Sequence, residues 1–267
     1  MGRRLRLGFL LAGVMSLVPL SGCLGRKMTY PAPAVPVGAA PAPLEEITLK
    51  PASGKPVVAW SFLPASIDGP ALLFFHGNGE NLETLRQGGA LENLQQLGCP
   101  FLVIDYPGYG RSAGKPSERV LLEAADAAVA WLGERFPGRP LVACGWSLGA
   151  AVAIRTAARH PDRVKGLIAM SPWTSLKDAA RTHFPGWMVW LLLREDYASL
   201  ETAPKVACPA LVMHGAEDDL IPASQGERVA KALPKGRWAP IPGAGHNDLL
   251  DHPQVWEEIA AFLGGLR

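Results

Sequence analysis

Along most of its length the chain switches between two hydrophobic patterns. Short, continuous apolar runs bounded by Gly, Pro or Asp occur at residues 57–63, 71–76, 101–105, 141–145, 164–170 and 210–214, with a weaker run at 238–241. Each has the length and apolar density of a buried strand. Between them lie amphipathic stretches. In the clearest, Val120, Leu121, Ala124, Ala128, Trp131 and Leu132 recur at three- and four-residue spacing, which predicts a helix over 117–136. Helices are also predicted at 82–97, 148–159, 224–233 and 253–263. Strands that are apolar throughout and alternate with helices imply a mostly parallel sheet covered on both faces. The pattern fills residues 44–267, enough for one domain, with no internal repeat. One connection breaks the rhythm. Residues 172–204 separate two strands and carry Phe184, Trp187, Trp190 and three consecutive leucines. A connection of that length in a compact domain usually does something, such as covering a site as a cap.

The first 43 residues follow different rules. Arg3, Arg4 and Arg6 precede an apolar stretch over residues 7–20. At about 14 residues it is shorter than the roughly 20 needed to cross a bilayer, and with its basic start it reads as an export signal over 1–22. Leu20-Ser21-Gly22-Cys23 resembles the lipobox of bacterial lipoproteins, which implies cleavage before Cys23 and lipid on its sulfur. Leu24, rather than an acid, follows the cysteine. The expected address is therefore a bacterial membrane, the outer one in a Gram-negative cell. Residues 23–43 hold Pro31, Pro33, Pro36, Pro41 and Pro43 and no acid. This composition predicts an extended, semi-rigid tether that stands the domain off the membrane.

Composition narrows the function classes. In 267 residues, 48% are hydrophobic and 19% charged, which suits a folded core rather than a disordered chain. Without the three leader arginines, 23 basic residues face 24 acids, a net of −1. Nucleic acid is thereby set aside as a partner, since its recognition needs a basic footprint. Cys99, Cys144 and Cys208 lie in or beside apolar strands and read as core thiols.

Gly145-Trp146-Ser147-Leu148-Gly149 is a G-x-S-x-G pentapeptide, entered from an apolar strand and left into an alanine-rich helix. That strand–turn–helix setting is what the motif needs to hold Ser147 at the apex of a sharp turn as a nucleophile. A serine hydroxyl needs a base to take its proton. Of six histidines, His246 stands in a glycine-rich loop between the last strand and the last helix, where it can meet a sheet edge; His252 is the main competitor. The base in turn needs a carboxylate, and Glu217, Asp218 and Asp219 follow the 210–214 strand, an ambiguity that spacing leaves open. The order Ser, acid, His fits. Donors for an oxyanion are expected from the backbone N–H groups of Leu148, just after the serine, and of Asn78 in the His76-Gly77-Asn78-Gly79 loop.

Taken together, His76-Gly77-Asn78, the run Asp105-Tyr106-Pro107-Gly108-Tyr109-Gly110-Arg111-Ser112, the Ser147 pentapeptide, His214-Gly215 with Asp218 and Pro222, and Gly245-His246 resemble the α/β-hydrolase superfamily. The likeness is to its serine-hydrolase branch with HGN-type loops, which includes serine aminopeptidase-like and lysophospholipase-like sequences. The resemblance implies a mostly parallel eight-stranded sheet with helices on both faces, a short cap over 172–204, and Asp218 as the acid. It also implies neither metal nor organic cofactor. The expected activity is hydrolysis of carboxylic ester or thioester bonds in a small-molecule or lipid substrate, through an acyl-enzyme. A peptidase of the aminopeptidase-like kind is the alternative, and a non-catalytic surface lipoprotein a more distant one. Trp146, Trp173 and Trp187 are expected to line the substrate pocket.

Overall fold

The computed structural model describes residues 25–27, 29–66 and 69–266. The expected signal over 1–22 and the expected lipidation site Cys23 lie outside those residues.

Eight strands form one sheet: β1 (Glu45–Leu49), β2 (Val57–Phe62), β3 (Ala71–Phe75), β4 (Phe101–Ile104), β5 (Leu141–Trp146), β6 (Val164–Met170), β7 (Ala210–Gly215) and β8 (Gly236–Ile241). Their order in space is β1-β2-β4-β3-β5-β6-β7-β8. β2 pairs antiparallel with both β1 and β4, and every other neighbour is parallel. Within each strand alternate side chains go to opposite faces. Leu73, Phe75, Ala143, Leu167 and Val212 join one core, whereas Leu72, Phe74, Cys144, Ile168 and Met213 join the other. This two-sided burial is the reason the central strands are apolar at every position.

The helices that cover these faces carry the stripes read from the sequence. α1 (Leu82–Gln87), α2 (Ala90–Gln96) and α9 (Pro253–Gly264) cover one face; α3 (Glu118–Arg135), α4 (Leu148–Arg159) and α8 (Ala223–Ala232) cover the other. The single helix expected over 82–97 is two, because Gly89 takes φ +77° and starts a new helix after Gly88 ends the first. β1 was not expected. It is a half-exposed edge strand whose sequence, Glu-Glu-Ile-Thr-Leu, has too few apolar positions to register as a run. Cys99, Cys144 and Cys208 are buried and stand outside any disulfide, as expected of core thiols.

Residues 172–204 fold into three short helices, α5 (Leu176–Arg181), α6 (Gly186–Leu192) and α7 (Ser199–Thr202), lying between β6 and β7. Among the described residues no helix is long and apolar enough to cross a membrane.

The tether expectation needs correcting. Instead of standing away, the chain from Thr29 onward lies against the domain: Tyr30, Val37 and Leu44 are buried in the two cores. The Tyr30 hydroxyl is 2.7 Å from that of Tyr197, and the carbonyls of Thr29 and Val35 accept from the Asn78 and Asn81 side chains at 2.6 and 2.8 Å. Proline-rich backbone leaves carbonyls unpaired within itself, so they are free to cap polar side chains of a neighbouring loop.

Candidate active site

Six parallel strands end at one edge of the sheet, and the loops leaving β3, β5, β7 and β8 converge there. β5 turns abruptly into α4 at Ser147, whose φ is +55° and ψ −116°. A side chain other than glycine held at positive φ is strained, and such strain persists only where its surroundings enforce it. Here the surroundings are close. A β-carbon at Gly149 would fall 1.9 Å from the Phe75 carbonyl oxygen, so the glycine lets the turn press onto the end of β3. Hydrogen bonds from Ser147 N–H to the Met170 carbonyl (2.9 Å) and from Ser171 N–H to that of Met213 (2.8 Å) carry the sheet's pairing past the strand ends.

The loop after β7 brings Asp218 and the loop after β8 brings His246. They approach because Gly215 has no side chain; a β-carbon there would meet the Gly245 and Ala244 carbonyls at 2.3 and 2.4 Å. Glu217 N–H donates to the Ala244 carbonyl at 2.9 Å and joins the two loops. The resulting chain of contacts is continuous: His246 Nδ1–H donates to Asp218 Oδ2 at 2.7 Å, and His246 Nε2 is 3.0 Å from Ser147 Oγ. All three side chains are buried. With Nδ1 protonated, Nε2 presents its lone pair to the serine hydroxyl. Glu217 and Asp219 are exposed, and His252 starts α9 beside Asp248, 3.8 Å away.

Asp218 is more heavily held than the sequence suggested. Its Oδ1 accepts from Leu220 and Ile221 N–H groups, and a second imidazole, His214 Nε2, stands 3.0 Å from Oδ2. Burial pushes this carboxyl up, but the hydrogen bonds from His214, His246 and the Ile221 N–H outweigh it and hold it well below the usual carboxylate range. It is therefore ionised at any pH near neutral.

Asn78 and Leu148 lie on adjoining segments, the loop after β3 and the first turn of α4. As the first residue of a helix, Leu148 has an N–H with no acceptor inside that helix. Asn78 is clamped through its side chain: Tyr109 O–H donates to Oδ1 at 2.8 Å, and Nδ2 donates to the Thr29 carbonyl. Tyr106 O–H donates to the His76 carbonyl at 2.8 Å. Beneath the loop, burial pushes His76 down to about 4 and Asp105, 3.7 Å away, up to about 7. Glu80 accepts the Gly77 N–H at 2.7 Å and is pushed up to about 7, again by burial. Neither tyrosine's contact was anticipated from the sequence. Their signal lay in the Asp105–Ser112 run, which the resemblance flagged without assigning roles.

The three tryptophans expected in a pocket part company. Trp146 is buried with its ring 5.4 Å from that of His246, so it packs on the imidazole. Trp173 belongs to the core: its Nε1–H donates to the Tyr197 carbonyl and its ring meets Tyr197 edge to face. Trp187 is 67% exposed on the outer side of α6. Neither lines the cavity between α5 and α6. That apolar cavity is lined by Leu176, Ala180, Phe184, Met188, Val189 and Leu192, together with Asn78 and Thr29. Asn78 links that apolar space to the serine loop.

A family model for the alpha/beta hydrolase fold matches residues 70–194. The chain is 36% identical to an uncharacterized protein of Mycobacterium tuberculosis H37Rv over 247 residues, which cover 89% of this chain and 86% of that one. It is 28% identical over 222 residues to the lysophosphatidylserine lipase ABHD12 of Danio rerio, covering 73% of this chain and 58% of the lipase. Among solved structures, the Pyrococcus furiosus esterase Pf2001 aligns with a TM-score of 0.71 at 18% identity, over 88% of this chain and 98% of the esterase. At that identity the likeness is one of fold.

Proposed function

This chain belongs to the α/β-hydrolase family, and on that footing we propose that it is a serine hydrolase cleaving carboxylic esters or thioesters whose acyl part is apolar. One observation carries the reading: the unbroken hydrogen-bonded path from Ser147 through His246 to Asp218. His246 takes the proton of Ser147 Oγ as that oxygen attacks the substrate carbonyl. Asp218 holds the imidazole in its Nδ1–H tautomer and stabilises the imidazolium. The negative oxygen of the tetrahedral intermediate accepts from the N–H groups of Asn78 and Leu148, each such donor lowering the barrier by about 3 kcal/mol. His246 then protonates the leaving alcohol or thiol, the acyl-serine forms, and water activated by the same imidazole releases the acid.

The cavity under α5 and α6 favours an acyl chain, because Leu176, Ala180, Met188, Val189 and Leu192 offer an apolar surface next to Asn78. An apolar cavity there supports the lysophospholipase-like alternative over the aminopeptidase-like one. With it goes the proposal that residues 1–22 are an export signal and that lipid on Cys23 anchors the enzyme to a bacterial membrane. At about 0.8 kcal/mol per buried CH₂, two or more acyl chains hold a domain there stably.

Two measurements test the proposal. A fluorophosphonate probe is expected to label the protein at Ser147 and to leave Ser147→Ala unlabelled; equal labelling of both would end the reading. Ala180→Phe, which fills the cavity, is expected to cut turnover of octanoyl and longer p-nitrophenyl esters by about tenfold and leave the acetate nearly unchanged. A uniform loss at all chain lengths would remove the acyl chain from that cavity.

A further inference from the structure

The outer face of α6 is unlike the rest of the surface. Gly186-Trp187-Met188-Val189-Trp190-Leu191-Leu192 contains no charged or hydrogen-bonding residue except the two indoles. Met188, Val189 and Leu192 turn inward and line the cavity. Trp187, Trp190 and Leu191, at i, i+3 and i+4, share the opposite face and are 67%, 78% and 51% exposed. Phe184 is itself exposed and also lines the cavity, so the outer patch and the cavity share a border. A helix apolar all round is ordinarily buried, and a contiguous apolar patch on a soluble surface marks something that covers it.

The geometry points to a lipid surface as the occupant: we propose that Trp187, Trp190 and Leu191 dock on the membrane in which the chain is anchored, presenting the cavity border to it. The course of the chain argues for this partner. A β-carbon on Gly25 would lie 2.1 Å from the Leu192 carbonyl oxygen, so the N-terminal segment leaves the domain against the end of α6. Cys23 is two residues further, within about 7 Å of chain. Whatever holds the chain at Cys23, an attached lipid or the apolar leader before it, enters the bilayer beside this helix. Arg26 and Lys27, both exposed, stand at the same exit and suit anionic headgroups. Tryptophan is the side chain whose apolar body and N–H fit the headgroup boundary. An ester carried by a membrane lipid would then reach the Phe184 border without crossing bulk water. The inference rests on the anchoring of the N-terminus and not on the chemistry at Ser147.

Full-length protein extracted from membranes and reconstituted in vesicles of phosphatidylethanolamine and phosphatidylglycerol tests this, with brominated acyl chains as the fluorescence quencher. Quenching of tryptophan emission is expected for the parent and for Ser147→Ala alike, and most of it is expected to vanish in W187S/W190S. That variant should keep its turnover of soluble p-nitrophenyl acetate within about twofold and lose about tenfold on a long-chain ester held in the vesicles. W187F/W190F keeps the apolar face without the fluorophores, so it should lose the quenching and retain the vesicle turnover. Equal quenching in the parent and W187S/W190S overturns the proposal. So does a parent that sediments as a dimer and a W187S/W190S monomer with unchanged quenching, which would give the face to a second copy. Mass analysis of the N-terminal peptide reports separately on Cys23: an unmodified cysteine with quenching intact would end the lipidation reading and leave the docking face standing. Loss of probe labelling with quenching intact would end only the hydrolase reading.

Discussion

The Tyr109 hydroxyl reaches across 31 residues of sequence to donate to Asn78 Oδ1 at 2.8 Å, while the same asparagine donates from Nδ2 to the Thr29 carbonyl. Two bonds on one side chain fix the direction of its backbone N–H. Tyr109→Phe removes one of them and leaves the ring in place. The expected result is a fall in kcat of about tenfold with little change in KM, since an oxyanion donor acts chiefly in the transition state. Steady-state kinetics on a short ester would check it, and a change confined to KM would mean that the bond serves binding instead.

Ser147 sits at φ +55°, and backbone held there costs on the order of 1–3 kcal/mol. Ser147→Gly relieves it, offset in part by glycine's greater unfolded freedom of roughly 0.5–1 kcal/mol. The variant should be inactive yet melt about 2–4 °C higher, for a net gain near 1 kcal/mol in a domain of this size. A lower melting point than Ser147→Ala would show the turn to be unstrained.

The neighbours Asp218 and Asp219 should behave oppositely. Asp218→Asn presents an amide to His246 Nδ1 and favours the wrong tautomer, so kcat should drop by about 10⁴. Asp219→Asn, on the exposed side, should stay within about twofold. Stability carries a second signature. The Asp218 carboxyl is held below its ordinary value of about 3.9 in the folded state, so its contribution is complete above that pH and is lost as the pH falls toward the folded value. Urea midpoints of the parent should therefore drop below about pH 4 more steeply than those of Asp218→Asn.

Glu80 has the reverse sign. Burial raises it to about 7, so between its unfolded value of about 4.3 and that point the folded state holds more protons than the unfolded one. Stability then falls as pH rises through the window, and the loss is complete above it. Glu80→Gln, always neutral and still able to accept the Gly77 N–H, should be more stable than the parent at pH 8 and nearly indistinguishable from it at about pH 4, below the unfolded value. Parallel unfolding curves at the two pH values decide this, and an equal shift at both would mean the carboxyl is not held protonated.

Much of this architecture was readable in advance. Central strands buried on both faces leave no polar position to interrupt them, so 164–170 was bounded to the residue, and α4 likewise. Ser147 was legible because its motif is local: strand, turn and helix adjoin in sequence. Asp218 needed the family resemblance, because three adjacent carboxylates differ only in which one a distant loop covers. What escaped depends on contacts without local pattern. β1 pairs along an edge with few apolar residues, and Tyr30 and Val37 are isolated apolar positions among prolines. Tyr109 and His214 find their partners only once the loops have assembled. The orientation of α6 was misread because a helix apolar on every side carries no phase, so the sequence offered no reason to turn Trp187 outward and Met188 inward.

The carbonyls of Thr29 and Val35 that receive the Asn78 and Asn81 amides lie upstream of every residue matched by the family model, which starts at residue 70. A shortened protein begun at Leu44 would therefore retain Ser147, His246 and Asp218 while Asn78 beside them swung from a single remaining support. Such a truncation would look intact by every motif and is expected to turn over poorly, so residues 29–43 count as part of the working apparatus and not as a mere spacer.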